Sequence, residues 1–151
     1  MISVITITLM SSCQKAASLV EQRNCRQQLR SVWAGIALYR HDHGEHWPPN
    51  LESLDQEAVG RLLTCPGVKV KVSSHTTGKY DYIFLDWSKL THGPDTAPSN
   101  YPLMYDRRMS NHDGRGINIL MVDGSVKWDS HAEWLKRFAA DHPDFIIPIS
   151  K

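Results

Sequence analysis

The sequence predicts an α+β fold: a long N-terminal helix packed on an antiparallel β-sheet, with a short helix towards the C-terminus. Three observations carry this. Apolar residues recur at steps of three and four from Cys25 to Ile36; short alternating runs follow, separated by turn formers; and Asp123-Gly124 sits between two such runs. At 151 residues, 41% hydrophobic and 22% charged, the chain has the length and composition of one globular domain with a real core.

The charge balance excludes some functions. Seventeen Lys and Arg against sixteen Asp and Glu give a formal charge of +1, without a basic block or stripe, so a nucleic-acid partner is not expected. No apolar run reaches the roughly 18 residues of a membrane-spanning helix.

The first residues, MISVITITLMSSCQKAAS, are apolar from Ile2 to Met10, then Ser11 and Ser12 precede Cys13. Small residues before a cysteine, after an apolar stretch, resemble a bacterial lipobox. Residues 1–12 are then a signal segment, Cys13 is the site of lipid attachment, and residues 13–151 form a single domain with a projecting helix. A start site placed too far downstream, or a buried β-strand, are the alternatives for the same stretch. With Cys13 lipidated, Cys25 and Cys65 remain, an even number that suits a disulfide in an oxidising compartment; two unpaired buried thiols are the other outcome.

From Gln14 to about His43 the chain reads as one helix, with Cys25, Leu29, Val32, Trp33 and Ile36 on one stripe and Tyr39 continuing it. Ala34, Gly35 and Ala37 are small enough to let the helix lie close against a sheet. The stretch His41 to His46 holds three histidines, an aspartate and a glutamate, which invites a metal-site reading. The spacing argues against it: His41 and His43 point to different sides of a helix, and His46 lies beyond Gly44. Gly44 suits the left-handed position past a helix end, histidines favour the negative end of the helix dipole, and Pro48 and Pro49 prevent resumption. The cluster reads as a helix terminus.

Asn50 is placed to cap a short helix in LESLDQEAVGRLL. VKVKV (68–72) reads as a strand, YDYIFL (80–85) as a second and YPLMYD (101–106) as a third, with RRMSNHDGRG as a polar loop. INILMVDGSVKW reads as a hairpin with a two-residue Asp-Gly turn, both turn residues taking positive φ. In that register Met121 faces Val126 and Ile119 faces Trp128. Ile117, Ile119, Met121, Val126 and Trp128 then share a face covered by the Leu29–Ile36 stripe. Ser130 and Glu133 form a capping-box pattern for the last helix, HAEWLKRFAA.

Catalytic constellations are not visible: there is no phosphate-binding glycine loop, G-x-S-x-G elbow, H-E-x-x-H or paired C-x-x-C. Asp106, Asn111, Asp113 and Asp123 are oxygen donors of the kind that hold Ca²⁺, but turn formation explains them equally and the EF-hand spacing is missing. Cys25 sits on an apolar stripe, a poor setting for an activated thiolate. Neither an enzyme nor a bound cofactor is expected.

Two stretches together resemble a known family. RNCRQQLRSVWAGIALYRHDHGEHWPPNLESL (23–54) is similar to the segment after the membrane helix in pseudopilin-like, prepilin-type proteins, with Cys25, Arg26, Leu29, Tyr39, Asp42, Gly44, Pro48, Pro49, Leu51 and Leu54 in the family's places. TCPG (64–67) resembles the Cys-Pro step that follows. NHDGRGINILMVDGSVKW (111–128) resembles the C-terminal His-x(9)-Asp-Gly signature, with ten residues rather than nine between His112 and Asp123. The charged leader and apolar half-helix of prepilins have no counterpart here. The resemblance implies a pilin-like fold and a non-catalytic protein of the cell envelope, periplasmic or on the outer surface. It would be re-anchored by lipid or truncated, with His112, Asp123 and Gly124 as structural residues and type II secretion or type IV pilus components as partners. A lipid-anchored binding or adaptor module that keeps the fold without polymerising is the alternative.

Overall fold

The computed structural model describes residues 3–55, 59–67, 80–87, 93–143 and 145. Helix α1 spans Ser3–Asp42 and helix α2 Leu51–Asp55, followed by a 3₁₀ turn at Gly60–Leu63. Strands β1 (Tyr82–Phe84), β2 (Pro102–Asp106), β3 (Gly116–Met121) and β4 (Val126–Ser130) form an antiparallel meander in the order β1-β2-β3-β4. Helix α3 spans Glu133–Asp141. This is the expected α+β arrangement of a long helix, an antiparallel sheet and a short final helix. The expected strand at 68–72 lies outside the described residues.

Helix α1 places Cys25, Leu29, Val32 and Ile36 on the core, each fully buried. Burying an aliphatic side chain of this size contributes about 1.5–3 kcal/mol, so this stripe fixes the helix on the sheet despite the helix-weakening Gly35. Gly35 abuts Val59 rather than the sheet: a Cβ there would run into the Val59 side chain, while Ala34 and Ala37 are exposed. The helix stops where the sequence says. Gly44 takes φ 64°, Glu45 takes φ 66°, and the Glu45 N–H donates to the Arg40 carbonyl at 2.7 Å, closing the last turn. His41, Asp42, His43, Glu45 and His46 are all exposed, and the His43 ring stacks on Tyr39 at 3.9 Å. Asn50 caps α2, its Oδ1 accepting the Ser53 N–H at 3.0 Å.

The hairpin register differs from the expected one by one residue. The pairs are Ile119 with Lys127, Leu120 with Val126 and Asn118 with Trp128. The Met121 N–H donates to the Ser125 carbonyl at 2.8 Å, so the loop is Val122-Asp123-Gly124. Gly124 alone takes the left-handed conformation, φ 83°, and Asp123 is not a positive-φ residue. An Asp-Gly pair serves a three-residue loop with Gly in the left-handed position as well as a two-residue turn. A one-residue slip exchanges the faces of one strand relative to the other.

The slip has a packing reason. β3 is buried along its whole length, and the two faces of the sheet are covered by different helices. Leu120 and Met104 join the α1 cluster with Leu29, Val32 and Ile36, and Val126 packs against it. Ile117, Ile119 and Met121 join Tyr105, Leu135 and Phe138 beneath α3. The expected single face of Ile117, Ile119, Met121, Val126 and Trp128 is therefore divided between two layers, and the α1 stripe does not cover Ile117 and Ile119.

The start of α3 also departs from expectation. Ser130 and Glu133 form no capping box; Ala132 is the N-cap residue, at φ 55°, without a side-chain cap bond. Asp129 supplies the acceptors instead: Oδ1 takes the Trp134 N–H at 3.0 Å and Oδ2 the Leu135 N–H at 2.8 Å. A carboxylate has two oxygens to offer where serine has one, and its charge favours the positive end of the helix.

Candidate functional site: a buried Cys-Cys-Asp-His cluster

At the end of the sheet nearest the middle of α1, four chemically active side chains meet. Cys25 comes from α1, Cys65 from the loop after the 3₁₀ turn, Asp106 from the end of β2, and His112 from a second 3₁₀ turn, Met109–His112. Their ligand atoms lie within 4.8 Å of one another, and no side chain in the group is more than 1% exposed. The polar loop expected at 107–116 thus hides two of its most polar residues, Asn111 and His112.

Each residue is held by local structure. The Gln28 side chain donates to the carbonyls of Leu62 and Thr64 at 2.6 and 2.5 Å, tying the Cys65 loop to α1. The Cys65 N–H donates to Asp81 Oδ2 at 3.1 Å. Gly67 lets this loop approach the His112 turn: a Cβ there would collide with the Asn111 carbonyl and touch the His112 ring. Asp113, at φ 55°, closes the turn through its backbone N–H. Asp106 and Asn118 face each other across β2 and β3, and the Asn118 N–H donates to Asp106 Oδ2 at 2.6 Å. Tyr82, also on this face, places its hydroxyl 3.3 Å from Cys25 Sγ.

Inside the cluster, His112 Nε2 lies 3.0 Å from Asp106 Oδ2 and 3.8 Å from Cys65 Sγ. The Cys25 thiol donates to Asp106 Oδ1 at 3.3 Å, and the two sulfurs are 3.6 Å apart. The sulfur–sulfur hydrogen bond, then burial and the negative Asp106, push the Cys25 thiol up. The same hydrogen bond, helped by His112 against the opposing effect of burial, lowers Cys65 to about 6. Burial lowers the His112 imidazole, but hydrogen bonds to Asp106 and Cys65 outweigh it and raise it to about 9. The cluster therefore tends to keep a proton on Cys25 and on His112 while Cys65 carries negative charge.

All four residues drew attention in the sequence, but in unrelated readings. Cys25 and Cys65, expected as a disulfide, are brought together but stand as two thiols. His112, expected to act with Asp123 and Gly124, is separated from them by the whole of β3: it lies at the head of the strand, they at its far end. Of the calcium candidates, Asp106 joins the sulfurs and Asn111 is buried nearby, whereas Asp113 and Asp123 are exposed and Asp123 Oδ1 accepts the Ser125 N–H at 2.9 Å. The four do not converge on one point. Tyr82 and Asn118 were missed by sequence reading; the alternation of β1 and β3, which puts them on the α1 face with Asp106, was the available signal. The side chain of Cys13 lies outside the described residues. Comparison with family models, with curated proteins and with solved structures finds no match.

Proposed function

We propose that the chain is a non-catalytic, pseudopilin-like protein of the cell envelope, anchored at a membrane through Cys13 and acting by assembly with, or binding to, secretion or pilus components. The observation that carries this reading is that, among the described side chains of α1 before Cys25, Ala16, Leu19, Val20, Arg23 and Asn24 are exposed and none is buried. The helix begins at Ser3, yet the first described side chain buried in the core is Cys25. From Cys13, the proposed anchor, to Cys25 the helix is about 18 Å long at 1.5 Å per residue. Leu19 and Val20 on it are 49% and 53% exposed. A helix of this kind, rising from an antiparallel sheet, suits a stalk between an anchor and a working domain. The order of the motifs at 23–54, 64–67 and 111–128 supports the same reading.

A lipid-anchored adaptor that keeps the fold without polymerising is the second reading. Gln14, Lys15, Glu21, Gln22 and Arg23 favour it, because they interrupt the apolar surface that helices packed in a polymer core would need. A photo-crosslinking residue at position 20, in full-length protein expressed in a bacterial envelope, tests both. A discrete product with an envelope protein is expected, a second copy indicating assembly and a different protein an adaptor. The reading fails if position 20 gives no product while the exposed Lys127 position does.

A further inference from the structure

The four buried side chains make poor partners for one another as they stand. Sulfur is a weak hydrogen-bond donor and acceptor, so two sulfurs buried against a carboxylate and an imidazole in a dry site are only partly satisfied, and His112 Nδ1 has no partner among the described residues. We propose that Cys25, Cys65, Asp106 and His112 form a structural tetrahedral site for a thiophilic divalent cation, Zn²⁺ in the first place.

The distances fit. Zn–S bonds of about 2.3 Å and Zn–N or Zn–O bonds of about 2.0–2.1 Å in a regular tetrahedron place S···S at about 3.8 Å, S···N or S···O at about 3.6 Å and N···O at about 3.4 Å. The cluster has S···S 3.6 Å, Cys65 Sγ to His112 Nε2 3.8 Å and Cys25 Sγ to Asp106 Oδ1 3.3 Å; the 3.0 Å from His112 Nε2 is to the other carboxylate oxygen, Oδ2, a hydrogen bond that the ion would replace. The ligand set selects the ion: two thiolates and an imidazole suit zinc, whereas calcium and magnesium require oxygen. The surroundings orient the ligands. The Asn118 N–H holds Asp106 Oδ2, and the Tyr82 hydroxyl lies within reach of Cys25 Sγ. Four protein ligands and complete burial leave no position for substrate, which makes the site structural.

Binding is an exchange without redox change. Cys25 gives up its S–H proton and the His112 imidazolium its Nε2–H proton, Cys65 binds as the thiolate it already is, and two protons leave to solvent for each ion taken up. A disulfide between the same cysteines is the competing fate. It would draw the sulfurs to about 2.05 Å and leave the imidazole and carboxylate to each other and to Asn118. The ion engages all four, and ties α1, the Cys65 loop, β2 and the turn before β3 at one point.

The test uses the full chain, reduced, freed of metal with a chelator, and titrated with Co²⁺ alone and then Zn²⁺ alone. Expected are one Co²⁺ per chain with a thiolate-to-cobalt charge-transfer band and the intense visible bands of a tetrahedral ion, stoichiometric displacement by Zn²⁺, and a higher melting temperature with Zn²⁺. Asn118→Ala, which removes an amide side chain beside Asp106 but no ligand, should weaken Zn²⁺ binding about tenfold. His112→Gln should lose the tetrahedral spectrum; if that variant does not fold, the wild-type cobalt spectrum decides the matter by itself. A folded, reduced chain that gives no charge-transfer band with Co²⁺ overturns the proposal. So does protein from the native envelope that carries no metal and is two hydrogens lighter than the dithiol.

Discussion

Gly124, at the tip of the β3–β4 hairpin, sits directly beneath the indole of Trp33 on α1, so close that a Cβ on Gly124 would enter the ring. Its φ of 83° adds a second constraint, since L-residues with a side chain rarely adopt it. Hairpin and helix are fastened at this point, which explains the need for glycine better than turn chemistry alone. Gly124→Val should destabilise the domain by about 2–4 kcal/mol, combining backbone strain with overpacking. Urea unfolding of the single variants and of Gly124→Val with Trp33→Ala separates the parts. The double variant should recover some of the loss; strict additivity would mean that the contact is unimportant.

Asp129 rather than Ser130 holds the start of α3. Asp129→Ala should cost about 1–2 kcal/mol, and Ser130→Ala and Glu133→Ala less than about 0.5 kcal/mol each. Denaturant midpoints decide between them. A larger loss for Ser130→Ala than for Asp129→Ala would restore the capping box.

Breaking the buried His112–Asp106 pair should be costly. His112→Ala leaves the Asp106 carboxylate buried without its ring partner, for about 3–5 kcal/mol. Asp106→Ala should cost a similar amount, and the double variant much less than the sum. Equilibrium unfolding of the reduced, metal-free chain measures this, and additive losses would show that the two residues act separately.

The Cys65 loop offers a variant that touches no ligand. Gly67→Ala should push the loop away from the Asn111 carbonyl and the His112 ring, exposing Cys65. Thiol labelling of folded, reduced protein should then run several-fold faster than in the wild type. Unchanged labelling would mean that the loop yields without opening the cluster.

The sequence showed the outline of the fold and missed its layering. The stripe from Cys25 to Ile36 and the stop at Gly44 were legible because both depend on neighbours within one or two turns of helix. The hairpin register was not, because Asp123-Gly124 suits two loop lengths and the choice is made by distant partners. Leu120 and Val126 are claimed by α1, Ile117 and Ile119 by α3. The capping of α3 was misplaced for a related reason: two left-handed residues, His131 and Ala132, let Asp129 reach across the turn. The cluster was harder still. Its members lie at positions 25, 65, 106 and 112, on four elements, and no local pattern announces that they meet. Cys25 and Cys65 suggest a disulfide, Asp106 a calcium ligand and His112 a structural signature; only tertiary packing unites them.

The most direct test of the envelope-anchored reading is the intact mass of the protein isolated from the envelope of its native cells. The expected species begins at Cys13, without residues 1–12, and carries the added mass of acyl chains, which hold a protein at a bilayer far more firmly than Ala16, Ala17, Leu19 and Val20 could. Cys13→Ser should move it to the soluble fraction. Native protein that retains residues 1–12 with an unmodified Cys13, and that fractionates as soluble, would contradict the anchor.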